Sequence, residues 1–249
     1  MFTSLGTYKA CGLFNMSHIV ASFICVALAL ILVYLTKDST KEQLKIHYNI
    51  VAVILSVMLV FTIVWNLFQD QIKIEDIIPL SISFFFVLAL WLMNSKKLWL
   101  RNLAKVFVGY VGVAFGFLLL IVPIPSFTNY PLFHFKSLFA LFTYTSMFCL
   151  GLMQFVVKEV EINFKNLSIA VFLMLDIVID CLVLNLLFDA NFLFLFSPNG
   201  LNIPCLNCLY TFNNNIYTLA IVLMCVLLLI VTYLVVKFAE LVLKHNNKK

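Results

Sequence analysis

The chain reads as an all-α, polytopic membrane bundle of seven transmembrane helices, with its N-terminus outside and its C-terminus inside. Three observations predict this. Hydrophobic residues fill 64% of the 249 positions and charged residues only 11%, with a mean hydropathy of +1.09. The apolar residues fall into seven long runs. The basic residues gather between those runs, mostly on one side. A soluble domain of this size cannot cover so much apolar surface. A bilayer can, because a helix of about 20 apolar residues satisfies its own backbone hydrogen bonds in lipid.

The first span covers about 17–36, opens on Ser17 and His18, and stops before Lys37. No small-x-small cleavage pattern follows it, so it reads as an anchor rather than a removable signal. The second span, about 47–68, closes on Trp65 and Asn66. The third, about 77–94, has Asp76 as an expected N-cap, Pro79 as a helix-start residue, and Ser81 and Ser83 in its first turns. The fourth, about 103–122, carries Gly109, Gly112 and Gly116. The Gly112–Gly116 step is the small-xxx-small pattern that lets helix backbones approach. The fifth, about 137–157, holds Thr143, Tyr144 and Thr145. The sixth, about 167–188, holds Asp176 and Asp180, and the seventh covers about 214–236.

With the N-terminus out, the inner segments hold 13 of the 16 basic residues, and only Lys9, Lys73 and Lys136 lie outside. The positive-inside rule selects this orientation. The net charge of +5 is then an inner rim facing anionic headgroups and implies no nucleic-acid partner. Those basic loops also offer a surface to a protein partner. No linker or low-complexity tract divides the chain, so residues 1–249 read as one transmembrane domain of the plasma membrane.

Polar residues inside such spans are the candidates for function. Asp176 and Asp180 are four apart and share a helix face near mid-span, where a charge costs at least about 2.5–3.5 kcal/mol. They read as a proton, cation or polar-substrate site inside the bundle, or as protonated acids bonded to neighbouring helices. Lys105, near the inner end of the fourth span, reads as a snorkelling side chain. His18, Asn66, Ser81, Ser83, Tyr144, Asn185, Asp189 and Asn191 all fall towards the outer side and together predict an outward-facing polar pocket. Segment 189–213 reads as an interfacial anchor or a lid over that pocket. Cys205 and Cys208 form a C-x-x-C that suits either a disulfide or two free thiols. No second ligand pair accompanies them, so neither a metal nor a cofactor is predicted. Four histidines are present, and no Walker, G-x-S-x-G or H-E-x-x-H pattern. A serine–histidine pair on the outer side is geometrically allowable but not demanded by spacing.

Three stretches resemble the YwaF-like family of bacterial seven-helix membrane proteins. These are Ser17-His18; Ile78-Pro79-Leu80-Ser81-Ile82-Ser83, similar to that family's L-P-L-H-L-C; and Asn129-Tyr130-Pro131 through Phe135, with Asp189-Ala190-Asn191-Phe192 through Pro198 similar to its G-T-N-Y-x-F-L…P. The chain departs from the pattern at Ser81 and Ser83, which replace His and Cys. It also lacks a His around Phe142–Ser146. The resemblance implies the fold. By analogy with distantly similar acyl-ester transferases or hydrolases, it makes Ser83 the nucleophile candidate and His18 the base candidate.

The leading expectation is thus a lipid or other amphipathic ligand held or processed in an outward-facing pocket lined by Ser81, Tyr144, Asn66 and Asn191, with Asp176 and Asp180 as buried support. Two alternatives stand beside it. One is a small-solute transporter or membrane substrate-binding subunit using Asp176 and Asp180. The other is a non-catalytic membrane scaffold.

Overall fold

The structure, a computed structural model, describes residues 9–12, 14–69, 73–122, 125–198 and 203–246. Its elements in chain order are α1 (Met16–Thr36), α2 (Lys41–Leu67), α3 (Ile74–Ile77), α4 (Ile82–Leu92), α5 (Leu98–Ile121), α6 (Pro125–Asn129), α7 (Phe135–Val156), α8 (Phe164–Phe188), a 3-10 turn (Phe192–Phe194), α9 (Pro204–Phe212) and α10 (Asn214–Asn246). The described residues contain no strand.

Six helices among the described residues, α1, α2, α5, α7, α8 and α10, are long and apolar enough to cross a membrane. A seventh helix of that length, which the sequence leads one to expect, is not found among the described residues. The third expected span, 77–94, is the 11-residue α4. At 1.5 Å per residue it is about 16 Å long, roughly half a bilayer core. The reason is local. The Leu80 and Ser81 N–H groups bond back to Ile78 and Pro79 in tight turns, and the Ser81 hydroxyl then accepts from Phe84 N–H at 3.2 Å. Ser81, rather than Asp76, is the N-cap. The segment still travels the depth of the bundle. α2 and α5 begin at the same end, where Lys41 and Lys105 meet Glu159. α2 finishes about 40 Å away.

α5 and α7 form the centre. Both are buried over most of their length, whereas α1, α2 and α10 turn most of theirs outward. Apolar residues on an outer face cost nothing against lipid, so packing rather than hydrophobicity selects the central pair. Glycine makes that pair possible. A β-carbon at Gly116 would lie 2.5 Å from the Phe148 nitrogen, and one at Gly151 would lie 2.6 Å from the Val113 nitrogen. The Gly112–Gly116 step is a packing seam, as its spacing predicts, and Gly151 completes it from the facing helix.

Side-chain bonds join the outer helices. Trp91 Nε1 donates to Ser56 Oγ at 3.0 Å, and Asn94 Nδ2 donates to Asn49 Oδ1 at 2.7 Å, tying α4 to α2. At the end opposite the N-terminus, Lys105 and Lys41 both pair with Glu159, the latter at 3.3 Å. Lys105 therefore pairs rather than snorkels freely. Burial would raise the Glu159 carboxyl, but the hydrogen bonds and charges of the two lysines outweigh it and hold it below its usual value.

Candidate functional site

A cavity of about 290 Å³ opens on the flank of the bundle between α1 and α5. Ile19, Phe23, Val26, Phe117 and Ile121 make its walls, Phe14 covers it, and His18 and Ser22 are its polar residues. Ile19, Phe23, Phe117 and Ile121 are themselves exposed. Its mouth therefore lies on the apolar outer face of the bundle.

Local structure fixes His18. Asn15 caps α1 by accepting from His18 N–H at 3.1 Å, while its own amide donates to the Cys11 carbonyl. Cys11 and Gly12 bond through their N–H groups to the carbonyls of Tyr130 and Phe127. This lays the approach to α1 against α6. Phe127, fully buried, then packs on the imidazole with ring centroids 5.1 Å apart. Phe14 holds a left-handed φ of 48°, an unfavourable backbone for a bulky residue. That conformation sets its ring against the edge of His18 at 6.3 Å.

His18 is 1% exposed. Its Nε2 lies 3.2 Å from Ser22 Oγ, and Ser22 Oγ lies 2.6 Å from the Leu120 carbonyl. The carbonyl can only accept, so the single serine proton goes to Leu120. Nε2 must then carry hydrogen and donate towards Ser22, and the same carbonyl is also within reach of the ring. Nδ1 is left as a bare acceptor, and it is buried without a hydrogen-bond partner. The polarity of this chain is opposite to that of a catalytic dyad, in which the hydroxyl proton faces the imidazole.

The other expected residues are spread over the structure. Ser83 lies within hydrogen-bonding reach of the buried Tyr144 hydroxyl, joining α4 to α7. Ser81 is the α4 cap. Asn66 is buried at the end of α2. Asn191 clamps its own loop. Its N–H donates to the Glu75 carboxylate at 2.8 Å, its Oδ1 accepts from Phe196 and Ser197, and its amide donates to Ser197. Asn185 holds the N–H and carbonyl of Phe192 at 2.7 and 3.1 Å. Asp189 is an exposed left-handed cap of α8. His134 caps α7 and stacks on Tyr130 at 4.2 Å.

Asp176 and Asp180 are exposed on α8 rather than enclosed in the bundle. They edge a second cavity of about 270 Å³ whose other walls are apolar residues of α4, α5 and α8. Segment 189–213 docks on α8 and α10, where Tyr217 Oη donates to the Phe194 carbonyl at 2.7 Å. None of its described residues lines the His18 cavity. Gly200, expected to help break this segment, lies outside the described residues. Cys205 and Cys208 are exposed free thiols on α9. Among the described residues, no group of three or more His, Cys, Asp or Glu could hold a metal ion.

Ser22 is the site residue that the sequence reading passed over. Its signal was present, since His18 and Ser22 are four apart and so share a helix face. The Leu120 carbonyl, 98 residues away in the chain, left no such trace.

These features define a class: a multi-span helical membrane protein with a small, largely apolar flank cavity. The chain belongs to the TMEM164 family, whose profile matches residues 13–236. That match carries a different name from the YwaF-like family that the motifs resemble; the two agree on a transmembrane protein. No curated protein and no solved structure matches the chain.

Proposed function

We propose that this protein, set N-out and C-in in the plasma membrane, binds a lipid or other amphipathic molecule in the α1–α5 cavity. One observation carries the reading. An apolar cavity bordered by the buried His18 and Ser22 opens on the outer, apolar face of the bundle. An apolar pocket with a few placed polar groups is the general form of a small-molecule site.

Binding is better supported than acyl transfer. The Ser22 proton is directed to a carbonyl, and Ser83 has Tyr144 as its partner. Neither hydroxyl faces a histidine able to accept its proton.

The test is labelling in lipid nanodiscs with a diazirine-bearing alkyl amphiphile, followed by peptide mapping. Label concentrated on 14–26 and 117–121, and lost on filling the cavity with Ser22→Phe, is the expected result. Label spread evenly over the outward faces of α2, α8 and α10 would overturn it.

A second reading is favoured by Asp176 and Asp180 sharing one groove beside α5. Carboxylates there suit coupling of solute movement to protons. It predicts pH-dependent uptake that falls on Asp180→Asn, and uptake unchanged in that variant counts against it.

A further inference from the structure

We propose that the open groove between α4 and α8 docks a transmembrane helix of a different protein, one that carries a Lys or Arg at mid-membrane depth. The proposal is independent of the α1–α5 cavity, and solute uptake unchanged in Asp180→Asn leaves it standing.

Shape is the first argument. α4 and α8 both pack on α5, and the space they leave over it is the second cavity, of about 270 Å³. α5 lines that space with Leu100, Leu103, Ala104 and Phe107, one helix face at i, i+3, i+4 and i+7. α4 repeats the same spacing from Phe85, and α8 repeats it from Leu173. Three side-by-side faces, each about 10 Å long, thus form a trough two helical turns in length. Ala89 and Ala104 are buried in its floor, and small residues let another helix come close. The volume falls short of the roughly 300–1,000 Å³ of small-molecule pockets. It suits the side chains of a helix laid along the trough.

Charge names the occupant. Asp176, the middle residue of α8, and Asp180, one turn further on, line the trough and are exposed. Both carboxylates are therefore open to whatever lies there. Among the described residues, neither has a hydrogen-bond or ion-pair partner. Phe172, Ile179 and Val183 of the same helix are also exposed, so the surroundings at this depth are lipid. A carboxylate facing hydrocarbon is costly unless it is paired.

This chain does not supply the pair. Among the described residues, no Lys or Arg stands at the depth of Asp176. Lys105 is held by Glu159 and Lys237 by the Ile162 carbonyl, both at the end of the bundle where α8 begins. A second copy lacks the same cation and would set acid against acid. The ammonium of a lipid belongs at the bilayer surface, about 15 Å from the midplane. A Lys or Arg on a transmembrane helix meets the carboxylates at their own depth and itself needs such a partner.

The experiment uses the full chain in lipid nanodiscs and a synthetic single-span helix of Leu and Ala with one central Lys. Its control has Leu at that place. Both carry a fluorophore for titration and a benzophenone one turn from the central residue. The Lys helix should bind about tenfold more tightly than the control, the effect of one polar pair made between helices in lipid. Its cross-links should map to 85–92, 100–107 and 173–180. Asp176→Asn with Asp180→Asn should bring the Lys helix down to the control and leave the control unchanged. Should the double variant not fold, either single Asn variant should show part of that loss.

Equal binding by the Lys and Leu helices overturns the proposal, as does a Lys preference that survives loss of both carboxylates or cross-links on other faces. Hexadecylamine that displaces the Lys helix at equal concentration assigns the carboxylates to an amphipathic amine. Cross-linking of two copies through the trough without peptide assigns it to self-association. Either result overturns the partner helix.

Discussion

Substituting Gly116 by alanine adds one carbon, and the structure assigns that carbon a place already taken. It would lie 2.5 Å from the Phe148 nitrogen, 2.9 Å from its Cα and 3.0 Å from the Met147 carbonyl carbon. All three are backbone atoms of α7, so no rotamer change relieves the clash. The closest is about 0.9 Å short of an ordinary 3.4 Å contact, and α5 and α7 must separate by about that much near the crossing. Overpacking of this kind costs about 1–3 kcal/mol. For a chain of this length that is a fall in melting temperature on the order of 2–12 °C.

Gly109→Ala is the internal control. Its new carbon would meet only the tip of the Phe155 ring at 3.3 Å and the Gln154 Cβ at 3.5 Å. The better helix propensity of alanine, about 1 kcal/mol, offsets that contact. Gly151→Ala should resemble Gly116→Ala, and the double variant should cost less than the two together, because one separation relieves both. The assay is thermal unfolding of purified protein in one mild detergent, read by retention of the folded peak on size exclusion. Gly116→Ala melting with the wild type, or Gly109→Ala melting as low as Gly116→Ala, would refute the close-approach argument.

Four further outcomes are expected. The Glu159 carboxyl is lowered in the folded state, so its contribution to stability is fully present above the unfolded carboxyl value near 4.5 and is lost as pH falls through the depressed folded value. Glu159→Gln should flatten the acid arm of a melting-temperature profile, and an unchanged arm counts against the lysine clasp. Asn185→Ala leaves the N–H and carbonyl of Phe192 without their partner, at a cost on the order of 2–4 kcal/mol. Limited proteolysis should then cut within 189–213 faster than in the wild type. With the N-terminus out, a membrane-impermeant maleimide should label Cys205 and Cys208 on sealed cells while sparing the buried Cys149 and Cys181; labelling only after permeabilisation reverses the orientation. Ser83→Ala should remove the bond to Tyr144 and lower stability by about 1 kcal/mol, with lipid labelling of the α1–α5 cavity unchanged; loss of that labelling would tie Ser83 to the ligand.

Helix positions were legible because burial in lipid leaves long apolar runs in the chain. Their ends were less so, since amphipathic first turns lie outside the apolar window. Thr40 and Gln43 form a capping box that starts α2 six residues before the expected boundary. The third span misread for a related reason. Hydropathy counts residues and does not see the two tight turns at 78–81 that withhold that stretch from the helix. The site divides in the same way. His18 stood out as a polar residue on an apolar run, and Ser22 was readable from its four-residue spacing. The roles of Asn185 and Asn191 were not, because their partners are backbone groups of a loop whose path is set by docking on α8 and α10.

The sequence by itself determined the solvent of this protein and the number of long apolar helices to within one. Both follow from composition and run length, which are properties of the unfolded chain. Tertiary structure alone decided that α5 and α7 lie at the centre, since six outwardly similar helices compete for that place and backbone contact at Gly112, Gly116 and Gly151 breaks the tie. It also decided the direction of the His18 hydrogen bonds. A carbonyl brought from α5 takes the Ser22 proton, and that single long-range contact turns what could have been a nucleophile into a scaffold for a bare acceptor.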